Sequence, residues 1–402
     1  MKKRVAIIGT VGLPASYGGF ETLSEHLVEQ LGAEYDFWVY CTSKKYPKAA
    51  QRRTYKGARL HYLSLDANGM QSIPYDTWSI LHALRRVDVL LILGVSGAWI
   101  LPFVWYFTQK RIIISIDGIE WKRDKWNPLA KMYLFWAEKM AVRYSHIDIS
   151  DNESIQDYTA ARYGSLSRII EYGADHTLRV QPQGTHLDKY PFLKSPYAFK
   201  VCRIEPENNV HDLLLAFSQL PQKTLVVVGN WQNSNYGINL KQRYQQLDNI
   251  HLLDPIYDQE QLDLLRGNAS LYIHGHSAGG TNPSLVEAMY LGLPIIAYNV
   301  SYNRTTTEGK ARCFTNAEEL RDVLASIGET ERQQLGRAML EIAERRYTWS
   351  HVARRYAYLI EEALATEQKR SVHPQTIFLE RERLLELEVA HLKHQDDFYQ
   401  KR

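Results

Sequence analysis

The sequence predicts an α/β protein of two doubly wound domains, each a parallel sheet covered by helices on both faces. Three observations carry this. Near-continuous apolar runs of strand length alternate with longer amphipathic segments along the whole chain. The alternation restarts near Phe199, after the proline-containing stretch VQPQGTHLDKYPFLKSPYAFK. At 402 residues the chain has room for two cores, on a scale of roughly 100–200 residues each.

In the first half, strands are read at VAIIG, FWVYC, LHYLS, VLLIL, RIIISI, HIDIS and SRIIEY; in the second, at FKVCRI, TLVVVG, NIHLL, SLYIHG and PIIAY. Helical patterns such as ETLSEHLVEQLG and NPLAKMYLFWAEKMAVRY separate them. The expected domains are 1–180 and 198–350, followed by a helical segment over 351–402. There Phe378, Leu385, Val389 and Leu392 share one stripe of an amphipathic helix spanning 376–395. Two heptads are too few for a coiled coil, so packing on the protein's own surface is expected. MKKRVAIIGT reads as a first strand and not a secretory signal, because its apolar run stops at Gly9. Val89 to Phe107 carries no charge over 19 residues, which reaches the ~18-residue threshold of a membrane span. Gly94, Gly97 and Pro102 interrupt it, so a buried strand, a tight loop and a buried helix are expected instead.

Apolar residues make up 45% and charged residues 23%, ordinary for a globular chain. The net charge is +3, and residues 1–180 hold 23 Lys and Arg against 18 Asp and Glu. So small a bias points to no nucleic-acid partner. It fits an anionic substrate, an acidic membrane surface or a solvated face equally well. Lys44–Arg59 has seven basic residues and no acid, and seven of nine tryptophans lie in the first 140 residues. Basic residues beside interfacial aromatics suit peripheral contact with an anionic membrane surface. Cys41, Cys202 and Cys313 are far apart and read as reduced thiols, neither a disulfide frame nor a zinc site.

Four loops follow strands and could carry chemistry. In HGHSAGGTNPSLVEAMYLGLP (His274–Pro294), Gly279 and Gly280 let backbone N–H groups approach a ligand. Thr281 or Asn282 can cap the next helix, with Pro283 as its first residue. Such an N-terminus suits a phosphate, and Glu287, one turn inside, suits the hydroxyls of an adjoining ribose. In IIGTVGLPASYGGFETL, Gly9, Gly12, Gly18 and Gly19 precede a helix expected near Phe20, without the G-x-G-x-x-G spacing of dinucleotide sites. In VCRIEPENN, Arg203 can fork onto phosphate oxygens or pair with Glu205 or Glu207. In SIDGIEWKRDKW, Asp117, Glu120, Trp121 and Arg123 follow a buried strand, where catalytic and binding groups of α/β domains project. His146 is expected to be a core or rim histidine.

GTVGLPASYGGFETL, RIEPENN and HGHSAGGTNPSLVEAM together resemble the retaining glycosyltransferases of family 4, over roughly residues 1–365. The likeness is greatest to bacterial rhamnosyltransferases that begin rhamnose-containing cell-wall or capsular polysaccharides. The resemblance implies a GT-B fold: two Rossmann-like domains facing across a cleft, with C-terminal helices, the first domain holding acceptor and the second the nucleotide sugar. Glu287 would hold the ribose. Gly279, Gly280, Thr281, Asn282 and Asn208 would face the donor, and Arg203 its pyrophosphate. Gly18 and Gly19 would lie near the reacting phosphate, Asp117 near the transferred sugar, and Glu120, Trp121 and Arg123 near the acceptor. Three departures stand out. The first glutamate of the family's pair is Gly279 here. The pyrophosphate-binding lysine is Asn208. The histidine after the fifth strand is replaced by Asp117–Gly118.

The implied activity is transfer of L-rhamnose from dTDP-β-L-rhamnose, with retention, to GlcNAc or glucose on a polyprenyl-pyrophosphate lipid at the cytoplasmic face of the cell membrane. No cofactor and no metal are expected. Alternatives are a UDP-linked hexose or HexNAc donor, a GT-B sugar-nucleotide epimerase, and a nucleotide- or glycan-binding protein without turnover.

Overall fold

The structure is a computed structural model that describes residues 2–15, 18–116, 118–123 and 126–366. Asp117 and the 376–395 stripe therefore lie outside the described residues. The described residues form two compact units: those of 1–172 with 349–366, and those of 173–348.

The first unit holds strands β1 (Lys3–Ile8), β2 (Tyr35–Thr42), β3 (Thr54–Tyr55), β4 (Ala58–Leu63), β5 (Val89–Leu93), β6 (Arg111–Ile116), β7 (Ile147–Ser150) and β8 (Arg168–Ile169). They order as β3-β4-β2-β1-β5-β6-β7-β8, parallel except for the β3–β4 hairpin. Val5 pairs with Phe37 on one side and Val89 on the other, so β1 is central and its Val5–Ile8 run is fully buried. Burial on both faces is why these strands read as unbroken apolar runs. Helices α1 (Gly19–Leu31), α2 (Ser72–Ala83), α3 (Leu101–Phe107), α4 (Pro128–Arg143) and α5 (Glu153–Tyr163) connect them. Asn127 caps α4 by accepting from Ala130 N at 2.9 Å, and Gly164 ends α5 in the left-handed conformation. His146 sits on this sheet's rim, where its Nδ1 accepts from Ile112 N at 3.1 Å.

The second unit holds α6 (Gly184–Lys189), β9 (Tyr197–Val201), α7 (Val210–Ser218), β10 (Thr224–Val228), α8 (Asn235–Tyr244), β11 (Ile250–Leu253), α9 (Gln259–Gly267), β12 (Leu271–His274), α10 (Pro283–Tyr290), β13 (Ile295–Tyr298), α11 (Ser301–Thr306), β14 (Arg312–Phe314), α12 (Ala317–Ser326) and α13 (Glu329–Arg346). Its sheet runs β11-β10-β9-β12-β13-β14, all parallel. This is the Rossmann order, with the strand order reversing between β9 and β12, where Tyr272 pairs with Phe199. The chain then returns to the first unit as α14 (Trp349–Ala365). That helix packs on α1, β5 and β6; Trp349 stacks on His26 at 4.2 Å, and Arg168 pairs with Glu362 at 2.7 Å.

One sequence expectation is corrected here. The 89–107 run does form a strand, a turn and a helix, but α3 is buried on one face only: Leu101 and Val104 are inaccessible, while Phe103, Tyr106 and Phe107 are 50%, 69% and 73% exposed. Hydrophobicity told that these residues are apolar, not which of them a neighbour covers. No helix among the described residues is long and apolar enough to cross a membrane.

Candidate functional site

In an open parallel sheet, ligands bind beyond the carboxyl ends of the strands where the strand order reverses. In the second unit that point lies between β9 and β12, and the loops leaving these two strands are the ones singled out in the sequence. They are stitched together. Asn209 Nδ2 donates to Gly275 O at 2.8 Å, and Ser277 N donates to Glu207 O at 2.8 Å. Asn208 Nδ2 donates to Arg203 O at 2.9 Å, leaving its Oδ1 to accept from His276 Nδ1 at 2.8 Å. Asn208 is 4% exposed, so its side chain holds the two loops in register. A lysine there could not accept that bond, which gives a physical reason for the asparagine.

Asn282 is the cap of α10: its Oδ1 accepts from Ser284 N at 3.0 Å and Ser284 Oγ at 2.7 Å, and Pro283 follows as the first residue. Gly280 and Thr281 are buried beneath this turn, and Thr281 Oγ1 lies 3.5 Å from Thr306 Oγ1. Gly279 adopts φ +128, and a Cβ there would stand 3.0 Å from His276 Nε2. The backbone conformation therefore requires glycine, and any side chain would also press on the His276 ring. Arg203 reaches out from the end of the β9 loop, its side chain 41% exposed and its Nη1 3.7 Å from Glu205 Oε1. That is a loose surface pair, worth little in water and readily exchanged for a bound anion.

Glu287 is held differently. Its Oε2 accepts from Arg266 Nη1, and its Oε1 lies 3.2 Å from His176 Nε2. Arg266 and Asp263 are fully buried and paired with each other, and Asp263 Oδ2 also accepts from Leu178 N at 2.8 Å. Burial alone would raise the Glu287 pKa. The Arg266 charge, then His176, overcomes this and brings it down to about 2. Glu287 is thus a permanent acceptor at neutral pH, suited to binding hydroxyls and unsuited to moving protons. Arg266, Asp263 and His176 were not found by sequence reasoning. Their partner lies 21 positions away from Arg266, across a whole strand, so no local spacing marks them.

In the first unit, Gly18 caps α1 at φ +126, and a Cβ there would collide with Glu21 Oε2. Glu21 is buried and accepts from Val11 N at 2.6 Å and Thr10 Oγ1 at 3.0 Å, fastening the glycine loop to the helix. Gly18 is therefore required by Glu21 independently of any ligand, and Gly19 is the helix's first residue. Glu120 and Arg123 pair at 2.9 Å, and Trp126 Nε1 donates to Glu120 at 3.0 Å. Trp121 Nε1 donates to Tyr158 OH at 3.1 Å, which donates to the buried Glu138 at 2.7 Å. The loop after β6 is thus shaped by its own polar groups. Among the described residues no group of three or more His, Cys, Asp or Glu is placed to hold a metal ion.

Residues 185–337 match the family described as Glycosyl transferases group 1, and residues 2–175 match a domain of unknown function (DUF1972). Sucrose-phosphate synthase from Thermosynechococcus elongatus superposes with a TM-score of 0.76 at 16% identity, over 90% of this chain and 100% of its own. A glycosyltransferase from Rickettsia africae ESF-5 gives 0.68 at 13%, covering 90% and 99%. Anabaena HepE, solved in complex with UDP, gives 0.67 at 14%, covering 90% and 100%. The fold is GT-B. At these identities the structural likeness shows the fold alone, and the match to glycosyl transferases is that of the 185–337 domain. The stitched loops and Glu287 both fall inside the matched 185–337 domain. No curated protein matches the chain.

Proposed function

We propose that the protein is a retaining rhamnosyltransferase that moves L-rhamnose from dTDP-β-L-rhamnose to GlcNAc or glucose on a polyprenyl-pyrophosphate lipid, at the inner face of the cell membrane, in cell-wall or capsular polysaccharide synthesis. The second unit binds the donor. Glu287, ionised and braced by Arg266, accepts from the ribose hydroxyls. The α10 N-terminus and Arg203 draw charge from the departing diphosphate. Gly279, Gly280, Thr281 and Asn282 shape the donor's surroundings, and Asn208 holds their loop to the one that follows β9. By the family resemblance Asp117 would serve the transferred sugar, and Glu120, Trp121 and Arg123 the acceptor. The departing diphosphate takes the acceptor proton on the face it leaves, so catalysis rests on alignment and leaving-group stabilisation.

The observation that carries the sugar preference is Gly279. Where the resembled family places a glutamate on the hydroxyls of a hexose donor, this chain has positive φ and a histidine at contact distance. That favours a donor lacking one of those hydroxyls, such as a 6-deoxy sugar. The competing reading, a UDP-linked hexose donor, draws on HepE, which was solved in complex with UDP-glucose.

Mass spectrometry decides between them. Purified protein is given dTDP-L-rhamnose and GlcNAc-pyrophosphoryl lipid in EDTA, and the lipid is expected to gain one deoxyhexose. A gain only from UDP-linked donors keeps the transferase and discards rhamnose. Donor consumed without acceptor points to an epimerase, and binding without turnover to a carrier.

A further inference from the structure

Among the described residues, ten of the fifteen large hydrophobic side chains that stand exposed belong to residues 70–136, around α2, α3 and α4 of the first unit. They form ordered stripes. On α4, Leu129, Met132 and Trp136 are 74%, 65% and 45% exposed, and the same face continues through exposed Lys139 and Arg143. The spacing of three and four residues is that of one helix face. On α2, Pro74, Trp78 and Leu81 repeat the pattern and lead to exposed Arg85 just beyond the helix. Between them Trp99, Phe103 and Phe107 follow one another four residues apart on the turn and α3. A groove of about 520 Å³ joins the elements, walled by Ile73, Trp78, Trp99, Tyr133 and Trp136. Its polar tips are anchored: Trp99 Nε1 donates to Thr77 Oγ1 at 2.8 Å and Tyr133 OH to Ser96 O at 2.6 Å.

Charge settles the occupant. Among the described residues from 67 to 143, every exposed charged side chain is basic and no Asp or Glu is exposed. At the other end of the patch, Lys44 Nζ donates to Gln71 at 2.8 Å, joining the basic Lys44–Arg59 loop, whose seven cations are all exposed, to the start of α2. Aromatic and aliphatic residues backed by cations on the same helix faces match the layering of a bilayer, acyl chains below anionic phosphates. We propose that α2, the 98–107 segment and α4 form the face by which the first unit inserts shallowly into an anionic lipid surface. This deepens the membrane location in the proposed function and rests on that reading.

The test is flotation of the full chain with phosphatidylcholine vesicles, with and without phosphatidylglycerol, in the absence of donor and acceptor. The wild type floats with the anionic vesicles. Trp78→Ser/Trp136→Ser, exposed positions whose change leaves the melting temperature in place, lowers binding on the order of tenfold or more. Lys139→Glu/Arg143→Glu abolishes the preference for phosphatidylglycerol. Transfer to a short-chain, water-soluble acceptor is unaffected by either pair, which separates this face from the catalytic reading. Wild-type flotation by the tryptophan variant overturns the proposal, as does a wild type that ignores both vesicles. A dimer that dissociates in that variant also overturns it, because a second copy would then be the occupant.

Discussion

Glu287 illustrates what a single side chain contributes once its neighbours are known. Its carboxylate is poised by Arg266 and His176, so its stabilising interactions are complete above the unfolded value of 4.5 and are lost as pH falls toward about 2. Glu287→Gln keeps the shape and removes the charge. It is expected to weaken dTDP binding by about 1.5–3 kcal/mol, the scale of a hydrogen bond to a charged group, as read by calorimetric titration; unchanged affinity would exclude the ribose role. Lys200 behaves oppositely. It is fully buried on β9, its Nζ has no hydrogen-bond partner among the described residues, and burial lowers its pKa from 10.5. The unfolded chain therefore binds more protons, and stability rises with pH up to about 10.5. Lys200→Met should stabilise the second unit by about 1–3 kcal/mol at neutral pH, a gain that shrinks in alkaline denaturation curves.

At the scale of elements, the site is a strand, a glycine turn and a capped helix, and each was legible for a definite reason. SLYIHG is an unbroken apolar run because β12 is covered on both faces, and TNP announces its helix start because Asn and Pro satisfy the first turn. Gly279→Ala tests the turn. At φ +128 and against His276 it should cost about 1–3 kcal/mol of stability and reduce donor turnover more than melting temperature, as compared by steady-state rates and thermal unfolding. What escaped the sequence also has physical causes. β14 reads RCF, three residues at the sheet edge with Arg312 exposed, too short and too polar to stand out as a strand. SRIIEY yields only the two-residue β8 for the same edge reason. The Asp263–Arg266–Glu287 network needs β12 and its turn to bring α9 to α10, which no periodicity encodes. The tryptophan-rich composition of the first 140 residues hinted at a surface role, but the stripes of α2 and α4 did not emerge, since a sequence shows which residues are apolar and not what meets them.

At the scale of the molecule, two parallel sheets were implied by the alternation of apolar and amphipathic runs, whereas the strand order and the path of the chain were not. The first unit is closed by α14, whose Trp349, Val352, Tyr356 and Ile360 are buried in that unit's core although they follow the whole of the second. Tyr356→Ala should therefore lower the first unit's stability by about 3–5 kcal/mol, as for other buried aromatic truncations, and leave the second unit's transition in place in a calorimetric scan. The arrangement has a consequence for synthesis. When the ribosome has finished residue 172, α1 still lacks the helix that covers it, and 176 residues of the other unit must be made first. At bacterial-to-eukaryotic elongation rates that interval is roughly 10–35 s. The inner unit can complete its fold during the wait, while the nascent outer one presents an uncovered apolar surface that a chaperone would recognise.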